Sequence, residues 1–387
     1  MASLFDDDIE VDAIDALITE VGADLPAAPE EVPQPRANPD FFGHDEIEKR
    51  LLADIIAGRL PHAIILAGLP GIGKATLAYR LARFLLAGGA DNALLPPENL
   101  ALSSTHTIFR RVVSGGHADL LTVEREYDEK KGRFKNDISV EAARRIHPFL
   151  QKTAAEGGWR VVIVDSAEYM NTSGQNAVLK ILEEPPEKTL LILTTSQPGM
   201  LLPTIRSRCR LVPMQPLSRQ VIVTTLDKFA PTLTTKDKTA IADLADGSIG
   251  RALQLNNDGG LALYRKLLDA VATMPQLDML KVHELAETLG KYGAEPQFEA
   301  ATGILAGWCA RQALAEAKGV LAKDTLAGDA EIFARLSQHY PPGHFVSARE
   351  KIMQLAWQTD VYNLDRKQAV MAAFLALQNP DYQGLNT

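Results

Sequence analysis

The 387-residue chain has only two cysteines, Cys209 and Cys309, which excludes a disulfide framework and a zinc site built from cysteine. No run approaches the ~18 consecutive apolar residues of a membrane span, and the opening "MASLFDDDIE" is acidic where a signal or transit peptide is basic. A cytoplasmic protein without membrane contact is therefore expected. Lysine and arginine are missing from positions 1–35, which carry ten acids. The other 352 residues hold 39 acids against 40 bases, so the net charge of −9 belongs to a tail and the body is close to neutral. Composition thus gives no general nucleic-acid signal, and no internal repeat of fixed period is present.

What is present is ordinary globular material: 46% hydrophobic residues, 27 glycines and 22 prolines. At roughly 100–200 residues per domain the length predicts two or three domains. Residues 1–38 read as an acidic, disordered tail and linker, ending in "GADLPAAPEEVPQPRANP". Within it, Ile14, Leu17 and Ile18 fall at helical spacing among acids, as in a partner-binding helix or simply a solvated tail. Residues 39–214 alternate short apolar runs with amphipathic stretches. The runs "AIILA" (63–67), "DLLTV" (119–123), "RVVIVD" (160–165), "LLILTT" (190–195) and "CRLVPM" (209–214) are predicted strands. "ATLAYRLARFLL", "VEAARRIHPFLQK" and "GQNAVLKILEE" are predicted helices. Continuous apolar strands separated by helices predict a parallel sheet covered on both faces, with ligand loops at the carboxyl ends of its strands. The mixed-charge stretch "EREYDEKKGRFKND" (124–137) is expected to be an exposed loop. Residues 215–258 read as a small helical unit and 259–387 as a further helical domain, giving an α/β fold followed by an all-α one.

The stretch "GLPGIGKAT" follows a predicted strand and opens a predicted helix, the context of a phosphate-binding loop. Gly68, Gly71 and Gly73 allow the chain to turn its N–H groups toward phosphate, and Lys74 would reach the β/γ oxygens. The pattern asks for a hydroxyl after the lysine to ligate Mg²⁺, and Ala75 stands there. Thr76 is turned ~100° around the helix, so ATP with Mg²⁺ is only weakly supported. The run "VVIVD" ends in Asp165, which matches the metal-side acid of such sites. Ser166 follows it where an active motor of the AAA+ class has a glutamate, and Glu168 lies three residues from Asp165.

At "NAVLKILEEPP", "LTTS" and "TIRSRC" the chain resembles bacterial clamp-loader subunits of the AAA+ class. "GRLPHAIILAGLPGIGK", "DSAEYMN", "GSIGRAL" and "NLDRKQAV" support the resemblance, which covers residues 39–256 well and the remainder thinly. Among such subunits it looks most like the delta-prime type of DNA polymerase III. The resemblance implies an AAA+ P-loop domain, a helical lid and a C-terminal collar. It implies as partners the ATPase motor and delta-type subunits, the sliding clamp and primer-template DNA. It places an arginine finger acting in trans at Arg208, a first sensor at Thr195 and a second sensor at Arg251. Many relatives carry a four-cysteine zinc module where this chain has only His106 and His117, so no zinc is expected. The competing readings are an ATP-hydrolysing motor subunit, with Thr76 and Glu168 in displaced roles, and an AAA+ DNA-remodelling protein outside replication.

Overall fold

The computed structural model describes residues 33–89, 96–128, 133–156, 158–257, 259–320, 325, 328–379 and 381. The tail positions Ile14, Leu17 and Ile18 lie outside the described residues.

Five parallel strands form the sheet, β1 (Ala63–Ala67), β2 (Leu120–Val123), β5 (Arg160–Val164), β6 (Thr189–Thr195) and β7 (Arg210–Pro213), in the order β2-β5-β6-β1-β7. Every residue of β1, β5 and β6 is buried, whereas β2 and β7 are partly open. Central strands covered on both faces need apolar side chains on both, and edge strands do not. Helices α1 (Asp45–Ile56), α2 (Lys74–Leu86) and α3 (Thr107–Val113) share one apolar core with the sheet, including Leu51, Leu77, Leu81, Val112 and Ile192. The opposite core includes Ile65, Val162, Ile146, Val178 and Ile205. It gathers α4 (Val140–Arg144), α5 (Ile146–Gln151), α6 (Thr172–Glu183) and α7 (Pro203–Arg208).

Three local readings need correction. The stretch 140–151 is two short helices rather than one, and Ser139 caps the first through Ala142 N. The stretch 124–137 contains an antiparallel pair, β3 (Tyr127–Asp128) with β4 (Arg133–Phe134), in which Tyr127 and Phe134 pair across the ladder. The linker's described end is not loose chain. Arg83 of α2 is 2% exposed and donates to the carbonyls of Arg36 and Asn38, while Arg80 donates to that of Pro39. Burial, with Arg80 alongside, pushes the Arg83 pKa down to about 10.

Beyond β7 the described residues are helical: α8 (Arg219–Phe229), α9 (Thr235–Leu244), α10 (Ile249–Asn257), α11 (Gly260–Val271), α12 (Met279–Leu289), α13 (Glu295–Lys318), α14 (Asp329–His339), α15 (His344–Tyr362) and α16 (Arg366–Gln378). One apolar core runs through all of them, from Leu217 to Leu377. At its centre Trp308 of α13 stacks on Phe333 at 4.7 Å and meets Phe345 edge-on. The "NLDRKQAV" stretch turns at Asn363 in the left-handed region, and Asp365 caps α16 by accepting from Gln368 N at 2.9 Å. No helix among the described residues is long and apolar enough to cross a membrane.

Candidate functional site

The order of the sheet places the carboxyl ends of β5, β6 and β1 side by side. Three features converge there: the loop after β1, Asp165 after β5, and the hydroxyl residues at the end of β6.

The loop 68–73 is held by its own chain. Lys74 Nζ donates to the carbonyls of Gly68 at 2.8 Å and Leu69 at 2.7 Å. Ser248 Oγ donates to Pro70 O at 2.8 Å, and Gly250 N to Gly71 O at 2.8 Å. His44 Nε2 bonds Ile72 O at 3.1 Å, and Gly73 O accepts from Leu77 N inside α2. Every carbonyl from Gly68 to Gly73 is therefore occupied. The lid segment approaches so closely that a Cβ on Gly250 would lie 2.9 Å from Gly71 Cα, and Gly71 itself has φ +73°. Only a glycine pair permits this backbone-to-backbone contact.

The donor side differs. Gly73 caps α2 without a side-chain acceptor, so the first-turn N–H groups keep the arrangement that favours an anion at a helix N-terminus. These residues suit phosphate but not its metal. Ala75 has no hydroxyl, Thr76 is half-buried one position along the helix, and the acids nearby are each engaged through one oxygen, while Glu168 Oε2 is buried without a hydrogen-bond partner. Asp165 Oδ1 accepts from Thr194 Oγ1 at 2.5 Å, and that hydroxyl accepts from Ser166 N at 2.8 Å. Glu168 Oε1 accepts from Ser196 N and Oγ at 3.1 and 2.6 Å. No cluster of three metal-ligating side chains occurs among the described residues. Burial lowers the pKa of Lys74, against the opposing pull of Glu168 and Asp165.

The two residues expected as sensors are engaged elsewhere. Thr195 is fully buried and its hydroxyl accepts from Gln197 N at 3.0 Å, a turn contact. Its neighbour Thr194, not singled out from sequence, meets Asp165. Arg251 bonds Asp246 at 3.1 Å and Gly303 O of α13 at 3.0 Å, so its guanidinium ties the lid to the long helix. His106 and His117 also act locally, accepting from Ile108 N and Asp119 N.

Arg208 is the last residue of α7, one position before Cys209 and β7. Its side chain is 36% exposed and pairs with Glu183 at 2.9 Å, while Nη1 donates to Thr204 O at 3.2 Å. The sequence reading missed Glu183 as its partner, and also missed Gln175. That buried glutamine donates to Met170 O and Met200 O and accepts from Leu202 N at 2.7 Å, fixing the start of α7. Burial pushes the Cys209 thiol up to about 12, which leaves it inert beside the arginine.

Residues 43–218 match the protein family described as "DNA polymerase III, delta subunit". The chain is similar to the delta-prime subunits of bacterial DNA polymerase III. The delta-prime subunit of Escherichia coli K12 is 35% identical over 238 residues, 62% of this chain and 65% of that one. Its Bacillus subtilis counterpart is 33% identical over 180 residues, 46% of this chain and 49% of that one. A gamma/tau subunit from Mycobacterium tuberculosis H37Rv is 31% identical over 182 residues, 47% of this chain and 29% of that one. The chain spans less than two thirds of the length of each of these relatives. The family match over residues 43–218 takes in the loop 68–73 and Arg208.

Proposed function

We propose that this chain is a clamp-loader subunit of the delta-prime type in DNA replication, one that presents Arg208 to nucleotide held by a neighbouring ATPase subunit and does not hydrolyse ATP itself. In this reading it joins motor and delta-type subunits in a ring and helps place the sliding clamp on primer-template DNA. Residues 39–214 form the AAA+ domain, 215–258 the lid and 259–387 the collar, the last two sharing one apolar core.

The observation that carries the reading is the contrast between the two ends of the sheet domain. The phosphate loop is closed on itself by Lys74 and latched by the lid, with no hydroxyl at Ala75 and with one oxygen of each nearby acid, Asp165 and Glu168, tied to a hydroxyl residue of β6 or just after it. Arg208 sits at a helix end with its guanidinium open to solvent. An arginine offered in trans spreads positive charge over a phosphoryl-transfer transition state, contributing on the order of 10³–10⁵ in rate where such fingers operate. Gly68, Gly71, Gly73, Lys74 and Thr76 would still cradle phosphate if Lys74 left its carbonyls, with the first-turn amides of α2 as donors, while Asp165 belongs to the metal side.

The alternative, an ATP-hydrolysing motor subunit, draws on the intact GxxxxGK spacing and on the similarity to a gamma/tau subunit. It requires Thr76 to rotate toward the site and Glu168 to act through Oε2, the oxygen that Ser196 does not hold. The deciding experiment is DNA-stimulated ATP hydrolysis by the reconstituted loader, with Arg208→Ala or Lys74→Ala in this subunit alone. Severe loss with Arg208→Ala and near-normal activity with Lys74→Ala is expected; the reverse pattern makes this chain a motor.

A further inference from the structure

Helix α15 is apolar on two sides. Phe345, Ala348 and Ile352 face the C-terminal core. On the outer side Val346, Met353, Trp357 and Val361 are open to solvent, and the Tyr362 ring meets that of Trp357 edge-on at 6.0 Å. Met353 is 46% and Tyr362 63% exposed, with the other three between. Val346, Met353, Trp357 and Val361 recur at intervals of seven, four and four residues, which at ~100° per residue keeps them in a stripe about 80° wide. Exposed apolar residues scattered singly need no explanation, but a continuous stripe along one helix does. Tryptophan, tyrosine and methionine are also enriched where proteins meet.

We propose that this stripe is a self-association face, covered by the same stripe of a second copy of the chain with the two α15 helices antiparallel. What selects a second copy is the placement of charge. Arg349 and Asp360 are 11 residues apart, so they lie within ~20° of each other on one flank of the stripe. Both are exposed, and neither forms a hydrogen bond or ion pair within the chain among the described residues; Asp246 and Arg349 act on each other only at longer range. Across a two-fold axis one surface meets itself, residue i touching j and j touching i. With that axis between Met353 and Gln354, Val346 of one copy faces Val361 of the other. Glu350 then falls beside Trp357, whose indole N–H is a donor. Arg349 reaches a level ~3 Å along the helix from Asp360 of the other copy, which gives two symmetry-related ion pairs. A parallel pairing would instead set Arg349 against Arg349 and Asp360 against Asp360, like charges that repel. A fully buried aromatic side chain covers ~150–250 Å², so these exposures amount to on the order of 500 Å² on each copy and about 1,000 Å² for the pair, the floor of a specific interface. The dimer is therefore weak and reversible. It needs nothing from the replication reading; under that reading it is the state of the free chain before it joins a ring.

The test is sedimentation equilibrium of the full chain, without other subunits, over about 1–100 μM, the range in which an interface of this size associates. A reversible monomer–dimer equilibrium is expected. Trp357→Ala acts twice across the two-fold axis and should weaken the dimer at least about tenfold. Arg349→Asp and Asp360→Arg should each weaken it at least about threefold by setting like charges together. The two changes in one chain should return it to within about threefold of wild type, because the pairs re-form with their signs exchanged. That recovery is the signature of a second copy in antiparallel register. All substituted positions are exposed, and superimposable far-ultraviolet circular dichroism establishes that the variants fold. The proposal is overturned if wild type stays monomeric throughout, if Trp357→Ala associates as tightly as wild type, or if the exchanged double variant stays as weak as the single ones. A wild-type chain that is monomeric alone, while Trp357→Ala loses other loader subunits, gives the stripe to a different protein and overturns it as well. The Arg208 experiment reads ATP hydrolysis through the sheet domain, so the two readings fail separately.

Discussion

The contact between lid and phosphate loop predicts that Gly250→Ala destabilises this chain although it places alanine in a helix. A methyl at Gly250 would sit 2.9 Å from Gly71 Cα and 3.4 Å from Gly71 O. Both neighbours are backbone, so neither can rotate aside and the lid must lift. Lifting strains or breaks the hydrogen bonds from Gly250 N to Gly71 O and from Ser248 Oγ to Pro70 O. Two such bonds contribute about 0.5–1.5 kcal/mol each, overpacking costs about 1–3 kcal/mol, and the helix gains about 0.5–1 kcal/mol over glycine. The balance is a loss of about 1–5 kcal/mol, centred near 3. Hydrogen exchange of the Gly250 amide is the sharper assay, because a chain with several cores need not unfold in one step. A urea melt followed by circular dichroism gives the global value. The expected result is faster exchange at Gly250 with a lowered urea midpoint. If exchange is unchanged and the midpoint rises, the helix-propensity gain has won and the lid does not rest on the loop.

Two further outcomes follow from the same geometry. Glu183→Gln removes the charge beside Arg208 from a pair that is 51% and 36% exposed on its two sides; such pairs are worth about 0–1 kcal/mol. Its effect on loader ATPase activity should stay within about tenfold, and a loss as deep as that of Arg208→Ala would make Glu183 part of the chemistry. His44, His117 and His344 have pKa values lowered first of all by burial. Their folded states disfavour the proton, so the stability they leave intact above the unfolded value of about 6.5 is lost as pH falls below it. Asp246 and Glu124, raised by burial, shift stability the opposite way, but nearer the carboxylate range. The melting temperature should therefore drop between pH 7.5 and 5.5, and a flat or rising profile would contradict the buried-neutral assignment.

The sequence made the sheet legible because its central strands are continuous apolar runs, and burial on both faces leaves few other compositions. It misjudged 140–151 because Arg145 and Ile146 continue an amphipathic pattern through the point where the chain bends. It misjudged 124–137 because charge dominated a stretch whose two aromatic residues, Tyr127 and Phe134, face each other only once β3 and β4 pair. At the site, Gly68–Lys74 and Asp165 could be read directly, each following a strand. The hydroxyls were harder. Adjacent strand residues point to opposite faces, so the end of β6 sends Thr194 to Asp165 and Thr195 to a turn, and no local signal says which face holds the acid. The lid contact was out of reach altogether, since Ser248 and Pro70 are 178 residues apart and only the glycines of "GSIG" hint at close approach.

A motor needs a lid that moves when nucleotide arrives. In the proposed reading the lid is fastened at both ends of one short stretch: Ser248 and Gly250 hold the loop 68–73, and three residues along from Ser248, Arg251 grips Gly303 of α13. Helix α10 then buries Ala252, Leu253 and Leu255 in the core that also takes Leu267, Trp308 and Phe374. Displacing the lid toward a nucleotide would break the loop contacts, strip Arg251 from its carbonyl and shear that core together. A single nucleotide lacking a ligated metal offers little to offset those losses. Arg208, by contrast, stands on a short helix whose start is pinned by Gln175 and whose end runs into buried Cys209 and β7, while its own guanidinium meets a half-exposed carboxylate and one carbonyl. In the proposed reading the segment a motor would move is the one with backbone, side-chain and core contacts, and the exposed group is the arginine. That distribution suits a subunit that holds its shape while offering a charge to a neighbour.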